Sequence, residues 1–278
     1  MIPILSAPSD SPALESFVST FFRTGLEPKG LDAISSPPFN PYTFQRRYVS
    51  AHSRARLVSV LLIVGAVLSF GAALLSLLQL FSPQLFTSGD EEITDPVVLV
   101  VALLELGLGL VYLVVYIATI VVFLMWLYRS YENLPSFGVP RNRISYSSGW
   151  AIGSFFIPFV SLVVPYRAIR ELWTKSLPNY NEMLSDPGPP AFFPLWWAAW
   201  LVSNFINQIH FRLSWRENIT SELSGTLGVV AGVMDILSAI LAIMVVKEID
   251  RQQTESEKLI PRESLSGQPP PPPTLAPG

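Results

Sequence analysis

An all-α integral membrane protein is the fold class this sequence predicts: four transmembrane helices plus one proline-broken segment, re-entrant or interfacial, with both termini cytoplasmic. Three observations carry that expectation. Five apolar blocks, residues 57–81, 97–128, 149–166, 191–209 and 227–246, contain only Glu105 and Asp235 as formal charges, and each reaches the ~17 residues that can cross a bilayer hydrocarbon core. Lys and Arg near the block ends become strongly asymmetric only if one block does not cross. That block, 149–166, contains Pro158 and Pro165.

Orientation follows the basic residues close to the membrane ends, and acidic residues count for little. If all five blocks cross from a cytoplasmic N-terminus, nine basic residues fall inside and seven outside. If 149–166 returns to its own side, fourteen fall inside and only Arg212 and Arg216 outside. The loop after the first block agrees, with Asp90, Glu91, Glu92 and Asp95 and no basic residue.

Taken in order, residues 1–55 read as a disordered proline-rich cytoplasmic tail, too poor in periodic apolar residues to build a core. No basic leader precedes an apolar stretch, so the first spanning helix is expected to serve as its own insertion signal. Residues 56–250 form the membrane domain, with spans at 57–81, 97–128, 191–209 and 227–246 and the broken segment at 149–176. Within that segment each proline removes a backbone donor and clashes with the preceding turn, which interrupts a helix near the middle of the block and again at its end. Non-helical backbone at membrane depth must then be shielded by protein or line a water-filled cavity. A kinked but complete fifth helix is the alternative, since proline is common in membrane helices. Beyond Pro165, the spacing of Arg167, Glu171 and Lys175 puts alternating charge on one face of an interfacial helix at 166–176, with Ile169, Leu172 and Trp173 on the other. Trp126, Tyr128, Tyr131, Tyr146, Trp150, Tyr166 and Trp173 read as a headgroup-level belt. Residues 251–278 form a second disordered tail ending in five prolines at 269–273, a polyproline spacer or docking site for protein partners.

Composition narrows the function classes. Half the residues are hydrophobic and 14% charged, against about 25% charged in a soluble domain. A net charge of −3 with no dense basic stripe excludes a nucleic-acid partner, so the bilayer is the expected partner. The absence of cysteine removes disulfides, thiolate metal sites and cysteine nucleophiles. Only His52 and His210 are present, and no common catalytic or metal-ligand pattern occurs. No cofactor, metal or enzymatic activity is expected.

Several runs are more specific. Trp126 to Leu134 (WLYRSYENL), Gly149-Trp150-Ala151, Phe156-Ile157-Pro158-Phe159, Pro165-Tyr166-Arg167, Arg170-Glu171-Leu172-Trp173, Trp196-Trp197, Trp200, Ser203-Asn204 and Val245-Val246-Lys247 follow one another between the first helix and Asp250. Through them the chain resembles the bacterial membrane family called domain of unknown function 4328. Members often carry Asn where this chain has Ser161, and some carry an N-terminal zinc ribbon that a cysteine-free chain lacks. The resemblance implies a bacterial cytoplasmic membrane and transfers no activity.

Candidate functional residues follow from the cost of polarity in a membrane. Asp235 lies eight residues past Leu227, about 12 Å along a helix and so near the bilayer centre. Its carboxylate must face the bundle and pair, stay protonated or line water. It is either a proton or cation site, or a polar residue bonding a neighbouring helix. Glu105 falls at the outer headgroups if Trp126 and Tyr128 mark the inner boundary. Ser203, Asn204, Asn207 and Gln208, spaced at three and four, offer Asp235 partners as interhelical glue or as a ligand site. Ser161, Pro158, Pro165, Arg167 and Glu171 are the candidates in the broken segment. Gly65 with Ser69, and Gly228 with Gly232, have the spacing that lets helices approach closely. Two functions remain open: a non-enzymatic membrane scaffold or envelope-associated protein, or a small permease or channel whose path is lined by the broken segment and Asp235.

Overall fold

The computed structural model describes residues 48–82, 96–214 other than 179, 181, 182, 184 and 186, and 220–260. Of the tails expected at 1–55 and 251–278, residues 1–47 and 261–278 lie outside the described residues, as does the acidic loop at 83–95. Among those described, the regular elements are helical: α1 (His52–Phe81), α2 (Pro96–Asn133), α3 (Ser148–Gly153), α4 (Val164–Lys175), α5 (Phe192–Ser214) and α6 (Ser221–Glu257), with short 3-10 turns between α2 and α4.

Four spans plus a re-entrant segment is not what forms. Among the described residues three helices are long and apolar enough to cross a membrane: α1, α2 with the turn that continues it to Phe137, and α6. The block at 191–209 folds into α5, whose 23 residues are long enough at 1.5 Å each. Its composition falls short, because three tryptophans, two asparagines, Gln208, His210 and Arg212 dilute the apolar side chains. The block at 149–166 divides between the six residues of α3, two 3-10 turns and the start of α4. None of these pieces approaches spanning length. The protein is thus a multi-pass membrane protein built on three candidate spans, with α5 and the α3–α4 segment packed on them.

Local chemistry explains the helix starts. Pro96 opens α2, where a missing N–H costs nothing. Ser147 caps α3 by accepting from Trp150 N at 3.1 Å, and Thr220 caps α6 by accepting from Leu223 N at 3.2 Å. Pro165 does not end a helix, as expected from the sequence, but sits in the first turn of α4, where its fixed φ is favourable. The interruption is one step earlier. Phe159, with φ 64° and ψ −42°, is the centre of a tight turn in which Val160 N donates to Pro158 O at 2.8 Å. That left-handed γ-turn geometry is rare for a residue with a Cβ and is strained.

The starts of α1 and the ends of α2 and α6 meet at one end of the bundle. His52 Nδ1 lies 2.5 Å from Asp250 Oδ2, and Asn133 Nδ2 donates to Val49 O at 3.1 Å. Arg54, Arg56, Arg129, Lys247 and Arg251 gather there, so we call it the basic end. Contacts descend antiparallel from it: Ser69 and Ala73 of α1 lie against Gly232 of α6, and Ser76 against Gly228 and Gly225. A Cβ on Gly232 would come within 2.7 Å of the Ala73 Cβ and 3.0 Å of the Ser69 carbonyl oxygen, so this seam closes on bare backbone. Gly65 has nothing within 4 Å of its Cβ position and takes no part.

The dense core also lies at the basic end, where Val58, Trp126, Leu127, Ile169, Leu172, Phe193, Val245, Val246 and Ile249 are fully buried. Trp126, Tyr131 and Trp173, expected at the headgroup belt, are inside this core, because α3 and α4 fold back over the end of α2 and cover them. Farther along, α2 exposes apolar side chains on all sides, from Val97 to Met125. A helix apolar all round and uncovered by protein is suited to lipid.

Candidate functional site

Two polar centres are built into this frame, one inside the bundle and one at its basic end. The inner one is centred on Asp235 of α6. Its Oδ1 accepts hydrogen bonds from Ser203 Oγ and from Asn207 Nδ2, the latter at 3.0 Å, both on α5. Tyr112 of α2 points its hydroxyl at Oδ2 from 3.5 Å. Asn207 also reaches Ser203 Oγ at 3.4 Å, so the two α5 donors are themselves linked. The carboxylate is therefore held between two other helices. Helical spacing explains the α5 pair, since positions 203 and 207 are one turn apart and share a face. Asn204, one residue on, is rotated away and donates instead to Trp200 O in its own helix at 2.7 Å. Tyr112 was not foreseen. Its signal is faint: Tyr112 is one of two tyrosines in the apolar middle of α2, and its ring stacks on that of the other, Tyr116, at 6.2 Å.

The second centre is organised by Glu171 of α4. One carboxylate oxygen accepts from Ser145 N at 2.6 Å and from Lys175 Nζ; the other accepts from Tyr146 N at 3.3 Å and Tyr131 O–H at 3.4 Å. Lys175 Nζ also donates to the Arg143 carbonyl. Tyr131 donates to the Ala168 carbonyl at 2.6 Å. One buried carboxylate thus fastens the loop 143–146, the end of α2 and the body of α4. The expectation of an exposed, alternately charged face at 167, 171 and 175 holds only for Arg167. The side chains of Glu171 and Lys175 are 10% and 8% exposed, while Ile169, Leu172 and Trp173 pack into the bundle core rather than onto a bilayer surface.

A neighbouring set of amides was missed altogether. Gln253 Nε2 donates to Ser130 O at 3.0 Å and Ser176 Oγ at 3.1 Å, and its Oε1 accepts from Asn133 Nδ2 at 3.3 Å. Ser256 Oγ donates to Ser176 O at 2.8 Å. The last helix runs on to Glu257, past the boundary at 250 assigned from sequence, because Gln253 and Ser256 are bonded to α2 and the residue after α4. A usable signal existed for Asn133, which lies in the run shared with the family. Gln253 had none. Beside this network, burial and the charge of Glu257 push the Tyr48 hydroxyl up to about 12, so it stays a neutral donor.

The remaining candidates are dispersed. Ser161 sits half-buried in the 3-10 turn Val160–Leu162 and no side-chain bond joins it to either centre. Pro158 supplies the carbonyl of the strained turn, and Pro165 is buried in the first turn of α4. Trp197 Nε1 ties that turn to α5 by donating to Leu162 O at 3.0 Å. Arg167 and Arg170 line an open cavity of about 490 Å³ beside Glu171. Among the described residues no group of three or more His, Cys, Asp or Glu side chains could hold a metal ion.

The family model described as Domain of unknown function (DUF4328) matches residues 90–251, which takes in α2 through most of α6 and both polar centres. No curated protein and no solved structure matches the chain.

Proposed function

Given that the chain belongs to the DUF4328 family, we propose that it is a non-enzymatic scaffold of the bacterial cytoplasmic membrane, its basic end facing the cytoplasm and its proline-rich tails engaging protein partners there. The observation that carries this reading is that both interior carboxylates are committed to packing. Asp235 accepts from α5 and faces α2, and Glu171 accepts from a loop, a tyrosine and a lysine. A group that must carry a proton or cation through a cycle needs partners it can exchange, whereas these donors join helices to one another. Excess Lys and Arg at the basic end supports the orientation.

The test compares wild type and Asp235→Asn in sealed vesicles containing a pH-sensitive dye. Under the scaffold reading both variants leave an imposed pH gradient to decay as in empty vesicles, and a photoreactive residue at position 270 yields discrete protein adducts in cells. A proton or cation flux present in wild type and lost in Asp235→Asn would establish the permease reading instead.

A further inference from the structure

We propose that the cavity beside α4 is a binding site for a phosphate ester, the headgroup of an anionic phospholipid or a free phosphate, held by Arg167 and Arg170. This goes beyond the scaffold reading and does not depend on it. The two guanidiniums are exposed, one turn apart on the same face of α4, and both line the cavity of about 490 Å³. Like charges at that spacing repel. Among the described residues the ion pairs join Glu171 to Lys175, Asp250 to His52, and Glu248 and Glu255 to Arg251, and none involves Arg167 or Arg170. The carboxylate that lines the cavity, Glu171, is paired with Lys175 and accepts from two backbone N–H groups. The described lining therefore carries a surplus of two positive charges on two guanidiniums, each of which can bind an oxyanion in bidentate fashion. Its volume falls within the roughly 300–1,000 Å³ of ordinary ligand pockets.

Position favours a lipid over a free ion. Immediately before α4 the chain presents Phe156, Phe159, Leu162 and Val163 outward, Phe159 at 85% exposure. Val163 precedes Arg167 by one helical turn, so an apolar surface and a dicationic cavity adjoin along the chain as acyl chains and headgroup adjoin in a phospholipid. Lysine- and arginine-lined pockets at the cytoplasmic side of membrane helices bind such headgroups.

The experiment uses the full chain in neutral detergent, titrated with short-chain phosphatidylglycerol, with phosphatidylcholine of the same chain length, and with inorganic phosphate, and reads the melting temperature. Phosphatidylglycerol should stabilise wild type saturably and more than phosphatidylcholine. Arg167→Gln/Arg170→Gln should weaken that binding by roughly tenfold or more, the loss expected for charge-assisted bonds. Arg167→Lys/Arg170→Lys, which keeps the charge but not the fork, should fall between and serves if the Gln pair fails to fold. Saturation by inorganic phosphate alone, equally sensitive to the variants, would assign the same site to a free phosphate. Stabilisation that is absent in wild type, equal for the two lipids, or unchanged by the variants overturns the proposal.

Discussion

Removing Glu171 should damage the basic end more than removing Glu171 and Lys175 together. In wild type the two side chains form an i,i+4 ion pair at 10% and 8% exposure, inside a contact set that also includes Ser145 N, Tyr146 N and Tyr131 O–H. Glu171→Leu leaves the Lys175 ammonium buried with only the Arg143 carbonyl as acceptor. Breaking a buried pair from one side costs about 3–5 kcal/mol, chiefly from the stranded charge. Lys175→Met is milder, near the lower end of about 3 kcal/mol, because the carboxylate keeps its two backbone donors and Tyr131. In the double variant no charge is stranded. What remains is the loss of the acceptor for two backbone N–H groups, of which Ser145 N is close to solvent and can turn to water, leaving about 1–3 kcal/mol. The coupling between the sites, the two single losses less the double loss, should therefore be about 5 kcal/mol. Unfolding of the four chains in mixed micelles of rising SDS fraction, followed by tryptophan fluorescence, yields the cycle directly. If Glu171→Leu proves as stable as the double variant, Lys175 escapes to solvent in the single variant and the closed ion pair does not hold the end together.

Three further outcomes are expected. Asp235→Asn should melt within error of wild type, while Asp235→Leu should lose about 1–3 kcal/mol from the Ser203 and Asn207 bonds; thermal melts in detergent decide, and a Leu variant as stable as wild type would remove the glue account. Gly232→Leu should separate α1 from α6, since even a Cβ would lie 2.7 Å from that of Ala73, and lower stability by about 1–3 kcal/mol as overpacking does; a variant that melts like wild type would show that the seam is not tight. Because the chain has no cysteine, Leu259→Cys should react with an impermeant maleimide only after lysis and Thr220→Cys in intact cells, and the reverse pattern would invert the basic end.

Which parts of this architecture were legible in the sequence depends on the range of the interactions involved. The helices α1, α2 and α6 could be placed from apolar runs because backbone bonds inside a helix are local and lipid asks only for apolar side chains along its length. Asp235 was legible as a cost, and Ser203 and Asn207 as a stripe at helical spacing. Asn204 belongs to the same sequence pattern yet turns back on Trp200, since which edge of a stripe faces the partner is set by how α5 rolls against α6. That same contact decides whether α5 needs to be apolar throughout, and hydropathy along one segment cannot register it.

Sequence by itself determined the class of protein, the gathering of basic charge toward particular helix ends, and the interruption around Pro158, because each depends on side-chain type within a few residues. Tertiary structure alone decided the rest. Arg167 and Glu171, four positions apart on one helix, take opposite fates, one open to a cavity and one buried, because the loop 143–146 and Tyr131 close over only the second. Gln253 joins Ser130 and Ser176 across 123 and 77 residues of chain, and Trp126 and Tyr131 face protein instead of headgroups because α4 covers them. The physical reason is that a polar or aromatic side chain in a membrane protein is stable in either setting, bonded to protein or facing water and headgroups, and only the approach of a distant segment selects between them.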